Sequence, residues 1–153
     1  MSTSPSRSTR PIHELPSRNA SNAQTAVKHW MTPTPYSVGM HQPLATAHRI
    51  MREHGVRHLP VLENGKLVGI VTERDISFVR AIPGVDLEKT HVEDAMTQHV
   101  YCVPPEARLR QVVSEMAEQR YGSAVVVEGT KVVGVFTTTD ALDVLAHRLS
   151  REP

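Results

Sequence analysis

Sliding the chain 65 positions along itself lays Tyr101 on Tyr36 and Asp140 on Asp75 without a gap. The same offset puts Met96 and Thr97 on Met31 and Thr32, Val103 on Val38, Leu109 on Leu44, Met116 on Met51, Gly134 on Gly69 and Thr137 on Thr72. About fifteen of some fifty aligned positions are identical, so the chain is a tandem duplication. Two copies are too few for a solenoid. A pair instead predicts one domain closed by a pseudo-twofold axis, with a ligand cleft on that axis. Each repeat, roughly fifty residues long, would bury too little surface to be stable alone, so the two are expected to fold as a unit.

Within a repeat the hydrophobic pattern reads β-α-β-β-α. In the first copy, Pro35 to Val38 reads as a short strand, and Pro43 starts a helix carrying Leu44, Ala47, Ile50, Met51 and His54 at helical spacing, ended by Gly55. Arg57 to Leu62 and Lys66 to Val71 read as a hairpin about the turn at Glu63, Asn64 and Gly65, and a second helix follows Thr72. The second copy gives a strand at Tyr101 to Val103, a helix from about Ala107 to Gln119, strands at Ser123 to Val127 and Lys131 to Phe136, and a helix from Thr138 to Leu149. The expected fold class is α/β (α+β): two such repeats packed through small mixed sheets, helices outside. The expected boundaries are a disordered tail at 1–23, repeat one at 24–80, a linker at 81–90 holding Pro83 and Gly84, and repeat two at 91–149.

Composition narrows the partners. A formal net charge of +1 gives no overall field to draw the chain to nucleic acid or an anionic membrane. Cys102 is the only cysteine, so no intramolecular disulfide forms, which fits a reducing, cytoplasmic setting. It aligns with Ser37 and reads as a small packing residue. No apolar run approaches membrane-spanning length, and the N-terminus lacks the apolar core of a secretory signal, although its Ser/Arg bias faintly suggests a targeting segment.

The strongest local motif is Gly69-Ile-Val-Thr-Glu-Arg-Asp75, repeated as Gly134-Val-Phe-Thr-Thr-Thr-Asp140. A Thr followed three residues later by Asp at a helix start is a capping box, in which each side chain satisfies an amide of the first turn. The same amides, beside a hydroxyl and a carboxylate, can also hold a phosphate and a ribose diol. Capping and binding are compatible roles.

Met31 and Thr32, the run Arg57 to Val61, the run Gly65 to Gly69, and Thr72 with Asp75, together with their partners in the second half, resemble a pair of CBS domains over residues about 27 to 146. The resemblance implies the disc-shaped Bateman module, binding AMP, ADP, ATP or S-adenosylmethionine between the repeats, with no cofactor required. It implies that Asp75 and Asp140 bond ribose hydroxyls and that Thr72 and Thr137 lie near ribose or phosphate. It further implies that strands carrying Tyr36, Val38, Pro60, Tyr101, Val103 and Ala124 clamp adenine through main chain and shape. Arg57 and His58 align with Gly122 and Ser123, and in related modules such a basic pair reaches the phosphate of the ligand held by the other repeat's aspartate. The Asp140 site is therefore expected to be the better one, because guanidinium pairs well with phosphate.

The nine histidines show no closed-site spacing, so metal binding is not expected, and no nucleophile with a recognisable base points to catalysis. Met31, Met51, Met96 and Met116, repeated in register, read as core filler. The expectation is a non-enzymatic sensor, homodimeric through the apolar helix at Leu142, Leu145, Ala146 and Leu149, that signals to an effector in another chain. The alternatives are a ligand-independent assembly module, a nucleic-acid-binding regulator using the Arg-containing tail and the cluster of Arg49, Arg52 and Arg57, and, last, an enzyme acting on a nucleotide.

Overall fold

The computed structural model describes residues 25–34 and 36–151. The segment expected to be a disordered tail, and Pro35, lie outside the described residues. In chain order the elements are β1 (Thr32–Pro33), β2 (Val38–Gly39), α1 (Leu44–His54), β3 (His58–Glu63), β4 (Lys66–Thr72), α2 (Glu73–Arg80), β5 (Cys102–Val103), α3 (Leu109–Gln119), β6 (Ser123–Glu128), β7 (Lys131–Thr137) and α4 (Thr138–Leu149). The mixed α/β class and the repeated order are as the sequence leads one to expect, with β2 and β5 shorter and α3 starting two residues later.

The elements fall into two compact units, the first of which is Tyr36–Val100. Its sheet has the order β2-β3-β4, with β2 parallel to β3 and β3 antiparallel to β4. Asn64 and Gly65, both at positive φ (51° and 78°), make the hairpin turn whose twist matches its strands. Leu44, Ala47 and Met51 of α1 bury one helical stripe against Val38, Leu59, Val61, Val71 and Ile76. Gly55, at φ 65°, ends α1 by donating its amide to the Met51 carbonyl.

The second unit comprises residues 25–34 and 101–151, with the sheet order β1-β7-β6-β5. Phe136, Val112, Leu109, Met116, Ala124, Val126, Val103 and Val144 form its core, joined by Val27 and Trp30. Met51 and Met116 are buried core residues, and Met31 and Met96 are partly buried against the same two cores, as the in-register reading expected.

The compact units do not coincide with the sequence repeats, because each unit is closed by the head of the other repeat. Val92 is fully buried in the first core, and Thr97 bridges Ile70 on β4. In the second unit Val27 is fully buried, and β1 pairs antiparallel with β7, Thr32 opposite Val135 and Pro33 opposite Gly134. Mid-strand glycines make room for these crossings: a Cβ on Gly69 would sit 2.9 Å from the Thr97 carbonyl oxygen, and one on Gly134 would sit 3.0 Å from that of Thr32. Nor is the stretch expected to be a linker left loose. Thr90 and Leu87 carbonyls accept the Leu44 and Ala45 amides at 2.7 and 3.0 Å, satisfying first-turn donors of α1 that no side chain caps.

Cys102 also departs from expectation. It is exposed on the edge strand β5, where Val103 takes the inward position, and burial of the sulfur's surroundings still pushes the thiol pKa up.

Candidate ligand site at the strand-to-helix junctions

At the β4–α2 junction the Thr72 hydroxyl accepts the Asp75 amide at 3.1 Å, and the Asp75 carboxylate accepts the Thr72 amide at 2.9 Å. At the β7–α4 junction the same pair of bonds joins Thr137 and Asp140 at 3.3 and 2.9 Å. Both are complete capping boxes. Each fixes a carboxylate at a helix N-terminus, where the backbone dipole favours negative charge.

The two junctions are not equivalent. Asp140 is only 8% exposed, and Thr32 on β1 donates its hydroxyl to the Asp140 carboxylate at 3.1 Å, with Thr137 Oγ1 donating at 3.2 Å. Asp75 is half-buried, and among the described residues its counterpart donor, Thr97, makes no bond to it. Strand pairing differs at the two places: Thr32 lies in a two-residue ladder against β7, whereas Thr97 makes an isolated bridge to Ile70. Thr32 is the site residue that sequence reasoning missed. Its signal was the duplicated Met-Thr pair, which was visible but carried no assigned role.

The structure brings Arg57 and His58 to the Asp75 junction of their own unit. His58 stands opposite Thr72, and the Arg57 carbonyl accepts the Glu73 amide at 2.9 Å. Burial chiefly holds the His58 pKa below its ordinary value, and nearby Arg57 lowers it further while Asp75 opposes both. The Arg57 guanidinium is exposed and pairs with Glu73 at 3.4 Å. Surface pairing of this kind is weak and exchangeable. In the second unit Ser123 faces Thr137, and the Gly122 carbonyl accepts the Thr138 amide, so the backbone is the same without the charge.

Of the residues expected to clamp adenine, Val38, Val103, Pro60 and Ala124 are buried, so their side chains serve packing. Tyr36 and Tyr101 are half-buried, each already on a neighbouring ring: Tyr36 stacks on His54 with centroids 3.8 Å apart, and Tyr101 on Tyr121 at 5.2 Å. Burial raises the Tyr101 pKa, helped by Glu115 and Tyr121. Among the described residues no group of three or more His, Cys, Asp or Glu is placed to hold a metal ion, and no helix is long and apolar enough to cross a membrane.

The CBS-domain family model matches residues 27–81 and 92–147. The chain belongs to the CBS-domain family. It is 28% identical to the CBS domain-containing protein YhcV of Bacillus subtilis over 116 residues, covering 76% of this chain and 82% of YhcV. It is 37% identical over 95 residues to the inosine-5'-monophosphate dehydrogenase of Korarchaeum cryptofilum, covering 61% of this chain but only 19% of that enzyme, so the likeness is to a CBS portion of a larger protein. Among solved structures, the CBS domain pair of protein MJ0100, in complex with 5'-methylthioadenosine and S-adenosyl-L-methionine, superposes with a TM-score of 0.70 at 27% identity, covering 81% of this chain and 98% of that one. The chain carries a CBS pair, a regulatory ligand-binding module.

Proposed function

We propose that this CBS pair senses an adenine nucleotide or a related adenosyl ligand, with AMP, ADP, ATP and S-adenosylmethionine as the candidates, and passes occupancy to a partner chain. The observation that carries the reading is the duplicated junction, where a Thr hydroxyl, an Asp carboxylate and helix N-terminal amides converge. The adenosyl ligands of the MJ0100 pair support it. Asp75 and Asp140 take the ribose diols, Thr72 and Thr137 lie toward ribose or phosphate, and Arg57 and His58 meet phosphate. The main chain beside Tyr36, Val38, Pro60, Tyr101, Val103 and Ala124 shapes the adenine site. On this reading the Asp140 junction is the stronger of the two, because its carboxylate is the more buried and a ribose hydroxyl bonded there is less screened by water, with Thr32 yielding its bond to the ligand. The module is cytoplasmic, non-catalytic and homodimeric on this reading.

Calorimetric titration with each candidate ligand, on wild type and on Asp140→Asn, Asp75→Asn and Arg57→Ala, tests it. Saturable binding weakened most by Asp140→Asn supports the assignment. Binding abolished by Asp75→Asn and untouched by Asp140→Asn reverses the ranking. No heat with any ligand, on folded protein shown to be free of nucleotide, favours the second reading: a ligand-independent assembly module, for which the exposed Leu142, Leu145 and Leu149 of α4 are the supporting observation.

A further inference from the structure

The basic cluster seen in the sequence divides in the structure. Arg57 turns to Glu73, whereas Arg49 and Arg52 rise from α1 beside His48, and Arg80 of α2 sets a guanidinium nitrogen 3.2 Å from both ring nitrogens of His48. His48, Arg49, Arg52 and Glu53 line an open hollow of about 400 Å³. Among the described residues no carboxylate comes within ion-pair distance of Arg52 or Arg80, and Glu53 reaches Arg49 only at 4.0 Å. Arg52 and Arg80 sit in the last turns of their helices, where the dipole favours a cation. That accounts for each singly, not for the convergence of four basic side chains.

The duplication supplies an internal control. At the offset of 65, His48, Arg49, Arg52 and Arg80 fall on Val113, Ser114, Ala117 and Leu145. The equivalent helix pair α3 and α4 therefore forms with no charge at any of these four places, so the fold does not require the cluster.

We propose that this face of α1 and α2 docks an acidic segment of a partner polypeptide. The hollow is shallow and open, which suits an extended chain laid across two helices rather than an enclosed small molecule. Carboxylates spaced along such a chain can each take a guanidinium fork. A nucleic-acid duplex fits less well: its affinity comes from many phosphate contacts along a densely charged backbone, whereas this face offers three guanidinium groups and a histidine with Glu53 among them and Glu73 close by. Burial, Arg80 and Arg52 together hold the His48 pKa below its ordinary value, against Glu73, so carboxylates arriving here raise it. The surface stands independently of whether a nucleotide binds.

The test is fluorescence anisotropy of a labelled oligoglutamate peptide against the full chain at low and physiological salt, with the His48 ring followed by NMR. Arg52→Glu with Arg80→Glu should weaken binding by about tenfold or more, because the change reverses charge at the contact. Arg108→Glu with Arg110→Glu, an equal change of net charge on the exposed start of α3, should leave it within about twofold. Arg52→Gln with Arg80→Gln, checked for folding by circular dichroism, should fall between. The His48 titration should move to higher pH with peptide bound. Equal weakening by the two charge reversals, a His48 ring that peptide does not shift, or a DNA duplex that displaces the peptide from this face and binds more tightly would each overturn the proposal.

Discussion

Replacing Asp140 by alanine should destabilise the protein by roughly 2–4 kcal/mol, and the same change at Asp75 by only about 1 kcal/mol. Both substitutions remove a capping-box carboxylate and leave a Thr amide without its acceptor, which typically costs about 1 kcal/mol. At Asp140 a second loss is added. The Thr32 hydroxyl donates to a carboxylate that is 8% exposed, and a bond to a charged, buried acceptor is worth about 1.5–3 kcal/mol. At Asp75 water can reach the orphaned groups, and no equivalent bond from Thr97 is lost. Urea unfolding followed by circular dichroism measures both. Thr32→Val, alone and combined with Asp140→Ala, closes a double-mutant cycle whose coupling should be about 1–2 kcal/mol. Equal losses for the two alanine variants, or a coupling near zero, would refute the claim that Thr32 fixes Asp140. The same reasoning makes Asp140→Asn, which retains an acceptor oxygen for the Thr137 amide, the sounder probe of ligand binding. An alanine there would confuse lost affinity with lost cap.

Two further substitutions, at Arg120 and His58, have defined outcomes. Arg120 ends α3 at φ 60°, the place Gly55 holds after α1, so Arg120→Gly should stabilise the chain by about 0.5–1 kcal/mol, read as a higher urea midpoint with unchanged slope; a lower midpoint would mean the Arg120 side chain makes a compensating contact. His58 has a folded pKa below its unfolded value of about 6.5, so the folded state binds fewer protons. Its contribution is intact above about pH 6.5 and declines as the pH falls toward the folded pKa. His58→Gln should therefore flatten the loss of stability between neutral and mildly acid pH, and an unchanged slope would place the acid sensitivity elsewhere.

Much of the scaffold was legible because its signals are local. Asn64 and Gly65 name their own turn, the Leu44, Ala47 and Met51 stripe names its helix face, and Thr72 with Asp75 names a cap. The exchange of repeat heads was not legible, because an offset of 65 aligns head with head whichever body each one closes. The one sequence trace of it is Gly69 and Gly134, glycines in the middle of strands otherwise rich in Val and Ile, present because another segment's carbonyl passes within 3.0 Å of where a Cβ would be. Cys102 was misread for a related reason: in a strand of two residues, alternation alone does not say which one faces inward. Arg49, Arg52 and Arg57 are near neighbours in sequence, but helix and strand geometry send them to different partners.

The burial of Asp140 was beyond sequence reasoning altogether, since Thr32 and Thr97 are the same residue at the same register. The two differ by one rung of pairing, Pro33 opposite Gly134, and by the hydroxyl, which reaches the carboxylate at Thr32 and not at Thr97. The difference bears directly on sensing. A ligand moves a conformational equilibrium only through unequal affinity for two states. Under the proposed ligand reading, a ribose diol reaching Asp140 competes with Thr32 for the same carboxylate oxygens, so occupancy trades against the hold on the 25–34 segment. At Asp75 a ribose meets no such competitor, and binding there leaves the Ile70–Thr97 bridge as it is. Two junctions with one motif can thus differ in consequence: binding at one loosens a strand, while binding at the other fills a ready acceptor.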